Sequence, residues 1–268
     1  MPDLTIEASD HPLHRAQYIY VETHAWWLGS FGRHNHLTEH RLRQWVPADP
    51  EREWLLDREL TGRQTWLTGS AEEALDDGFN PGDIGPTGRF RALHGAFDTA
   101  TDDTIGDAEE FCARPTRPRK GSWQSPTAPF LAQLPIDPDV LRTKLCAENP
   151  GSWFGPFAAA VTALRTCLVP AAVRGALYRA LAGLPAVTVA EKIPNIDGHT
   201  CTALIHDAGR TRTELLIDPG NGQFAGERDT LRTDSRCGLG AGTVISTTAV
   251  ATAVVDVPGS RPNGLAQR

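Results

Sequence analysis

The chain has 268 residues, of which 40% are hydrophobic, and a formal net charge of −7. This length suits one large domain with a substantial core, and the acidic balance argues against nucleic acid as the main partner. No stretch approaches the roughly 20 apolar residues that span a bilayer, and Met1 leads into a polar segment instead of a signal peptide.

Residues 17–67 predict an antiparallel meander. β-Branched and aromatic residues fill positions 17–28, which predicts a strand, and the glycines and serine that follow predict a turn. The partner strand is expected over residues 34–46, a third strand over 51–60 and a fourth over 64–67.

Residues 69–125 lose this regularity. The segment is acidic and rich in turn residues, with a short basic run near its end. So long an irregular segment is typical of a lid, and we expect it to cross the open mouth of the sheet; a solvated surface loop is the alternative. Short helices are predicted near residues 71–75 and 108–112.

Residues 128–184 predict helices. Asp137 is a good N-cap and precedes Pro138, which suits the first helical position. Pro156 and Pro170 predict the starts of two further helices. Gly183, followed closely by another proline, predicts the end of the last one.

Residues 186–257 predict a second meander. Apolar residues alternate from position 187 onward, and turns are expected at 197–198, 208–210 and 218–222 before a last strand over 243–257. The order of strands, loop, helices and strands lacks the alternation of a parallel sheet. We therefore predict a single α+β domain over residues 1–268, with an antiparallel sheet.

Three stretches carry a resemblance to a known family: LPIDPDVL at 134–141, LYRALAGLPAV at 177–187 and DGHTCTALIHDAGRTRTELLIDPGNGQFAGER at 197–228. The chain resembles an uncharacterised actinobacterial family whose members usually carry a cytoplasmic tail, one transmembrane helix and an extracytoplasmic domain. That family is similar to the outer-membrane lipoprotein carrier and to the periplasmic regulator of the envelope-stress sigma factor. The resemblance implies a curved antiparallel sheet, an unclosed half-barrel that wraps a few helices. The shared motifs are turns and caps, so no catalytic residue follows from them.

The first hairpin concentrates histidines. Alternate strand residues share a face, so a turn near residues 29–33 would pair Trp26 with His36, His24 with Thr38 and Glu22 with His40. In that register one face carries both acid–base and aromatic groups. We predict as catalytic groups Glu22, His24, His36 and His40. We predict as ligand-binding residues Tyr18, Tyr20, Trp26 and Leu42.

Three interpretations of this face stay open. The histidines are hydrogen-bonding groups scattered on a partly exposed sheet, or they belong to an apolar pocket with a few acid–base groups, or they bind zinc or iron. Motifs for a serine nucleophile, a phosphate loop, a dinucleotide site and a zinc protease are missing from the sequence. We expect no cofactor and assign no residue to a metal.

The concave face of a half-barrel suits an apolar small molecule, which we expect to be the partner. The leading prediction is a soluble enzyme of secondary metabolism that moves protons, without a cofactor, in a cyclisation or rearrangement. The alternative is a non-catalytic extracytoplasmic sensor or lipid-binding domain, and a structural interaction module is a third interpretation.

Localisation follows the same choice: cytoplasmic if Met1 is the native start, extracytoplasmic if the sequence is an excised domain. The five cysteines are widely spaced, which favours small buried side chains or at most one disulfide.

Overall fold

The computed structural model describes residues 6–82, 85–97, 110–112, 120–151 and 155–262. The chain divides into two compact units. The hairpin unit comprises residues 12–118 and 233–268, and the helical unit comprises residues 1–11 and 119–232. Each unit is described separately below.

In the part of the hairpin unit that the structure describes, there are six strands and one short helix. The strands are β1 (Tyr18–Phe31), β2 (His34–Pro47), β3 (Glu53–Thr68), β4 (Gly88–Leu93), β5 (Glu110–Cys112) and β10 (Val244–Val255), and the helix is α1 (Ala71–Asp76). Within the unit the strand order is β5-β4-β3-β2-β1-β10, and every pairing is antiparallel except β4 with β5. The predicted N-terminal meander is therefore confirmed.

Three predictions for this unit were wrong. The expected third and fourth strands are one strand, β3, because register irregularities opposite β2 let it continue past Gly62, whose φ of +79° suits a residue without a Cβ. The segment 69–125 is not uniformly irregular, because β4 pairs along β3 and buries Phe90 and Ala92 two residues apart. Its predicted first helix is confirmed as α1. Its predicted second helix is wrong at 110–112, which form a strand, while residues 108–109 lie outside the described residues.

The described residues of the helical unit form four helices and four strands. The helices are α2 (Ala128–Ala132), α3 (Pro138–Glu148), α4 (Pro156–Arg165) and α5 (Ala171–Ala182), and the strands are β6 (Val187–Pro194), β7 (Thr200–Ala208), β8 (Thr211–Ile217) and β9 (Phe224–Leu231). Consecutive strands pair antiparallel in the order β6-β7-β8-β9. The predicted caps are confirmed: the Asp137 carboxylate accepts from the first free amides of α3, and Gly183 ends α5.

The helical unit also holds a buried cation that the sequence analysis missed. Arg174 of α5 is 2% exposed. Its guanidinium donates to Asp10 and to the carbonyl oxygens of Ser9, Val169 and Gly222. The contacts with Ser9 and Asp10 fix the segment that precedes β1 against α5.

The antiparallel α+β class is confirmed, and neither unit's described strands close into a barrel. That the sheet is curved, that it wraps the helices and that the chain is one domain stay predictions. In the described residues no helix combines the length and apolarity needed to cross a membrane.

Candidate functional site: the two faces of the first hairpin

The observed register of the β1–β2 hairpin divides the predicted site. Phe31 lies opposite His34, which leaves a two-residue turn that begins with Gly32. Gly32 has φ of +56°, as the first position of a tight hairpin turn requires. Trp26 therefore pairs with Glu39 and not with the predicted His36, a slip of three residues.

A slip by an odd number exchanges the two faces of a strand. Glu22 and His24 lie opposite Arg43 and Arg41, on what we call the charged face. The side chains of His36, His40 and Leu42 lie on the opposite face, which we call the imidazole face. The prediction that Glu22, His24, His36 and His40 share one face is therefore wrong, because the true turn is shorter than the expected one.

On the charged face, Glu22 and His24 are held by protein groups. The Tyr20 hydroxyl donates to Glu22 at 2.8 Å, and the Arg43 guanidinium lies 3.6 Å from the same carboxylate. His24 donates through Nε2 to Glu39 at 2.7 Å. Glu22 thus belongs to a cluster with Tyr20 and Arg43, and His24 belongs to a hydrogen-bonded network that reaches β3.

Glu39 is the centre of that network. Its side chain has no exposed area and accepts from His24, Thr61 and Arg63. Burial raises the pKa of this carboxyl, but the hydrogen bonds from Arg63, Thr61 and His24 outweigh burial and lower the pKa to about 2. Glu39 is therefore a fixed buried anion.

The predicted ligand-binding residues also separate. Tyr18 and Tyr20 are 2% and 0% exposed and pack with Trp45, Leu55 and Val255 in a hydrophobic cluster. The Arg63 guanidinium lies over Trp26, with its Cζ atom 5.9 Å from the centroid of the Trp26 ring. The two tyrosines thus serve the core of the hairpin unit, and a role in binding a ligand stays a prediction for them.

Four alternate residues of β2 lie on the imidazole face: His34, His36, Thr38 and His40. They are between 1% and 3% exposed. Such polar side chains are seldom buried this completely without hydrogen bonds, because the lost hydration must be replaced.

His36 lies in an aromatic slot. Its ring centroid is 4.7 Å from that of Trp66 on β3 and 6.1 Å from that of Phe79, which follows α1. On β1 the ring rests against Gly29, where a Cβ atom would come within 2.9 Å of Cε1. Burial lowers the pKa of His36, so its imidazole is neutral at physiological pH.

His40 has a similar aromatic neighbour. Its ring centroid lies 4.6 Å from that of Trp27. Burial, and secondly the nearby positive charge of Arg58, lower the pKa of His40 to about 4. His40 is therefore also neutral near pH 7.

His34 differs from these two residues because it has a charged partner. Its Nε2 donates to Asp77 at 2.7 Å, and this hydrogen bond lowers the pKa of the Asp77 carboxyl. The ring also lies against the backbone of Gly69, where a Cβ atom would come within 2.3 Å of Nδ1.

Five buried polar atoms on this face have no hydrogen-bond partner among the described residues: Nδ1 of His34, both ring nitrogens of His36, Oγ1 of Thr38 and Nδ1 of His40. Leaving a buried donor or acceptor unpaired costs about 1–3 kcal/mol. A row of such atoms along one strand is the strongest indication of a functional site in the described part of the chain.

The helical unit contains two histidines near its strands. His199 lies 3.3 Å from the Asp218 carboxylate. The His206 ring stacks on Phe157 with centroids 4.8 Å apart, and burial lowers its pKa. His199 and His206 are seven positions apart in the chain, whereas the imidazole face carries histidines at positions 34, 36 and 40 of one strand.

Metal-binding and disulfide interpretations find no structural support within the described residues. No group of three or more His, Cys, Asp or Glu side chains there is arranged to hold a metal ion. The cysteines whose side chains are described, Cys146, Cys167, Cys201 and Cys237, are free.

Comparison of the chain with family models and with curated proteins found no match. The actinobacterial family and the half-barrel of the lipoprotein carrier therefore stay predictions. The functional argument rests on the geometry of the hairpin unit alone.

The sequence analysis missed several residues of the imidazole face. Thr38 shares a strand face with His36 and His40 in either register but was not assigned a role. The wrong register placed Trp27 on the opposite face, and Trp66 was assigned to a separate short strand. Phe79 lies in the segment expected to be irregular. A two-residue turn at Gly32, which the Gly-Arg pair between alternating apolar residues permits, was the available signal for the correct face.

Proposed function

We propose that this protein binds a hydrophobic small molecule that carries hydrogen-bonding groups, and that the imidazole face of β1–β3 is the binding surface. The observation that carries the proposal is the row of buried, unpaired polar atoms on His36, Thr38 and His40. A ligand that pairs with them recovers the hydrogen bonds that the protein itself does not make.

The aromatic side chains define the apolar part of the ligand. Trp27, Trp66 and the two imidazoles provide flat surfaces on the same face. Rings stack on such surfaces in offset or tilted geometry, with a gain of about 0.5–1.5 kcal/mol per pair beyond area burial. The proposed ligand is therefore largely apolar, with oxygen or nitrogen atoms directed at β2.

The protonation states define its polar part. Because His36 and His40 are neutral near pH 7, each offers one donor and one acceptor, and the Thr38 hydroxyl can do either. These groups suit phenols, ketones and alcohols.

Binding is better supported than proton transfer. With a pKa of about 4, His40 is a weak base. Glu22 and His24 lie on the opposite face from His36 and His40 and are bound to other side chains. A cofactor-free cyclisation or rearrangement stays a prediction, and the sensor or lipid-binding alternative needs the same bound ligand.

The experiment is calorimetric titration of the protein with 2-naphthol, an apolar bicyclic phenol. The test variant is Thr38→Val, which keeps the side-chain shape and removes one unpaired hydroxyl. We expect wild type to bind and the variant to bind about 2- to 10-fold more weakly, the range that one net hydrogen bond predicts.

The matched control is Thr65→Val, an exposed threonine on β3. It should leave the dissociation constant unchanged. Equal losses in both variants, or no heat of binding in wild type at millimolar 2-naphthol, would contradict the proposal.

A further inference from the structure

Phe79 is the one described ring neighbour of His36 that does not belong to the sheet. Gly29 and Trp66 lie opposite His36 in the β1–β2 and β2–β3 pairings. Phe79 instead follows α1. Its ring stacks almost parallel on Phe31, at 4.7 Å and 9°, but meets the His36 ring at 6.1 Å and 49°.

Access to His36 requires that a group covering its ring moves, and three such neighbours are Gly29, Trp66 and Phe79. Both ring nitrogens are buried, so a ligand reaches them only by displacing an atom that covers them. Gly29 is backbone of a paired strand, and Trp66 lies on β3, a strand with neighbours on both sides. Moving Phe79 breaks its stack on Phe31 and a longer, tilted contact with His36, but it leaves the backbone hydrogen bonds of the sheet intact.

Phe79 belongs to a flap, residues 70–81, with few attachments. Besides the ring contacts of Phe79, the described polar contacts of the flap with the first hairpin and β3 are few. The Asp77 carboxylate lies 2.7 Å from His34 and 3.5 Å from Arg33, and the Pro81 carbonyl accepts from Gln64 at 2.9 Å. Ala74 is the buried residue of α1, and Leu75 beside it is 57% exposed. The flap therefore has almost no core of its own.

The ends of α1 permit the flap to pivot. Gly69 before the helix has φ of +72°, and Gly78 after it has φ of +84°. Glycine reaches such angles without steric cost, so both positions can absorb a change in chain direction.

We propose that Phe79 occupies the place of a planar aromatic ligand, which displaces it from His36 and moves the flap away from the imidazole face. The ligand ring then stacks between His36 and Phe31, and its polar group meets a nitrogen of His36. This inference rests on the proposed function and specifies the ligand class as planar and aromatic.

The first test is amide hydrogen exchange with and without 2-naphthol. Ligands usually slow exchange where they bind. Displacement predicts the opposite for the flap: amides of residues 71–79 exchange faster when 2-naphthol is bound, while amides of β2 exchange more slowly. Slower exchange in both segments would show that the flap closes over the ligand, which overturns the inference but leaves the proposed function standing.

The second test is the affinity of Phe79→Ala. Because the variant no longer fills the slot, we expect 2-naphthol to bind about 2- to 10-fold more tightly, the worth of one aromatic contact. The control Leu75→Ala, on the same flap, should bind as wild type does. Weaker binding by Phe79→Ala would mean that Phe79 is part of the wall of the site.

The planar shape is tested with decahydro-2-naphthol, the saturated counterpart. It should bind more weakly than 2-naphthol to wild type and to Phe79→Ala. Equal affinities would overturn the aromatic ligand class. Failure of both compounds to bind either protein would overturn the proposed function together with this inference.

Discussion

His34 and His36 are neighbours on one face of β2 with opposite hydrogen-bonding situations. Both are 1% exposed. His34 donates to Asp77, whereas neither nitrogen of His36 has a partner among the described residues. Removing a paired buried group leaves its partner unsatisfied, but replacing an unpaired one with an apolar group of similar shape can stabilise the fold. The two histidines should therefore respond differently to the same substitution.

For His34→Phe we expect the free energy of unfolding to fall by about 0.5–1.5 kcal/mol, because the hydrogen bond with the half-exposed Asp77 carboxylate is lost and the larger ring meets Gly69. Urea denaturation measures the change. An unchanged free energy of unfolding would mean that the His34–Asp77 contact contributes nothing to stability.

Glu39 makes a second prediction at this scale. Glu39→Gln should lower the free energy of unfolding by about 1–3 kcal/mol at pH 7, because the neutral amide accepts more weakly from His24, Thr61 and Arg63. The exposed Glu51→Gln is the control. The folded pKa of Glu39 is about 2, below its ordinary value, so its contribution is present above about pH 4.5 and is lost as the pH falls towards 2. The difference in free energy of unfolding between wild type and Glu39→Gln should therefore shrink over this range. A constant difference would contradict the assignment of Glu39 as a stabilising anion.

At the scale of elements, α5 depends on a segment far away in sequence. Pro170, its N-cap, offers no side-chain hydrogen bond, and the Asp10 carboxylate accepts from the amide of Ala171 instead. The same carboxylate accepts from Arg174 at 2.9 Å. A negative charge at the start of a helix is stabilising, so Asp10 acts as a cap from outside the helix.

Arg174→Met and Arg179→Met form a matched pair on α5. Arg174 is 2% exposed and Arg179 is exposed. Removing the buried guanidinium leaves Asp10 and several carbonyl oxygens without their donor. We therefore expect the free energy of unfolding to fall by about 3–5 kcal/mol in Arg174→Met, against less than about 0.5 kcal/mol in Arg179→Met. Denaturant unfolding followed by circular dichroism at a helical wavelength provides the comparison. Equal effects would contradict the anchoring role of Arg174.

The elements were more predictable than their alignment. Period-two patterns located β1, β2 and the strands after α5, and proline and aspartate located the helix starts, because these signals are local. The register of β1 with β2 depends on turn length, and an error of three residues moved His36 and His40 to the wrong face. The burial of Arg174 depends on residues more than 150 positions away, so no local pattern in the sequence of α5 indicates it.

Across the described residues, burial shifts the pKa values of histidines and carboxyl groups in opposite directions. It lowers the pKa values of His36, His40 and His206 and raises those of Glu227 and Asp229, although Arg165 opposes the effect on both carboxyls. A histidine with a lowered folded pKa binds its proton more readily in the unfolded chain. Its folded state is therefore destabilised as the pH falls below about 6.5. The raised carboxyls have the opposite effect and offset part of this loss.

We therefore expect the free energy of unfolding to decrease as the pH falls from 7 to 4. Each buried histidine contributes at most about 1.4 kcal/mol per pH unit. His40→Phe should flatten the curve between pH 6.5 and 4, the interval between the ordinary and the folded pKa of this residue. Urea unfolding at half-unit pH intervals tests this. An identical pH profile in wild type and variant would contradict the neutral, buried state of His40.

The most direct test of the binding face is one substitution with two readouts. His36→Phe keeps an aromatic ring in the slot beside Gly29 and Trp66 and removes both unpaired nitrogens. If the imidazole serves to bind a ligand, the free energy of unfolding of the variant should equal or exceed that of wild type. The affinity for 2-naphthol should fall by about 10-fold or more, because the buried hydroxyl of the ligand loses its hydrogen-bond partner. A variant that is clearly destabilised and binds 2-naphthol as tightly as wild type would show that His36 serves the fold and that the ligand, if any, binds elsewhere.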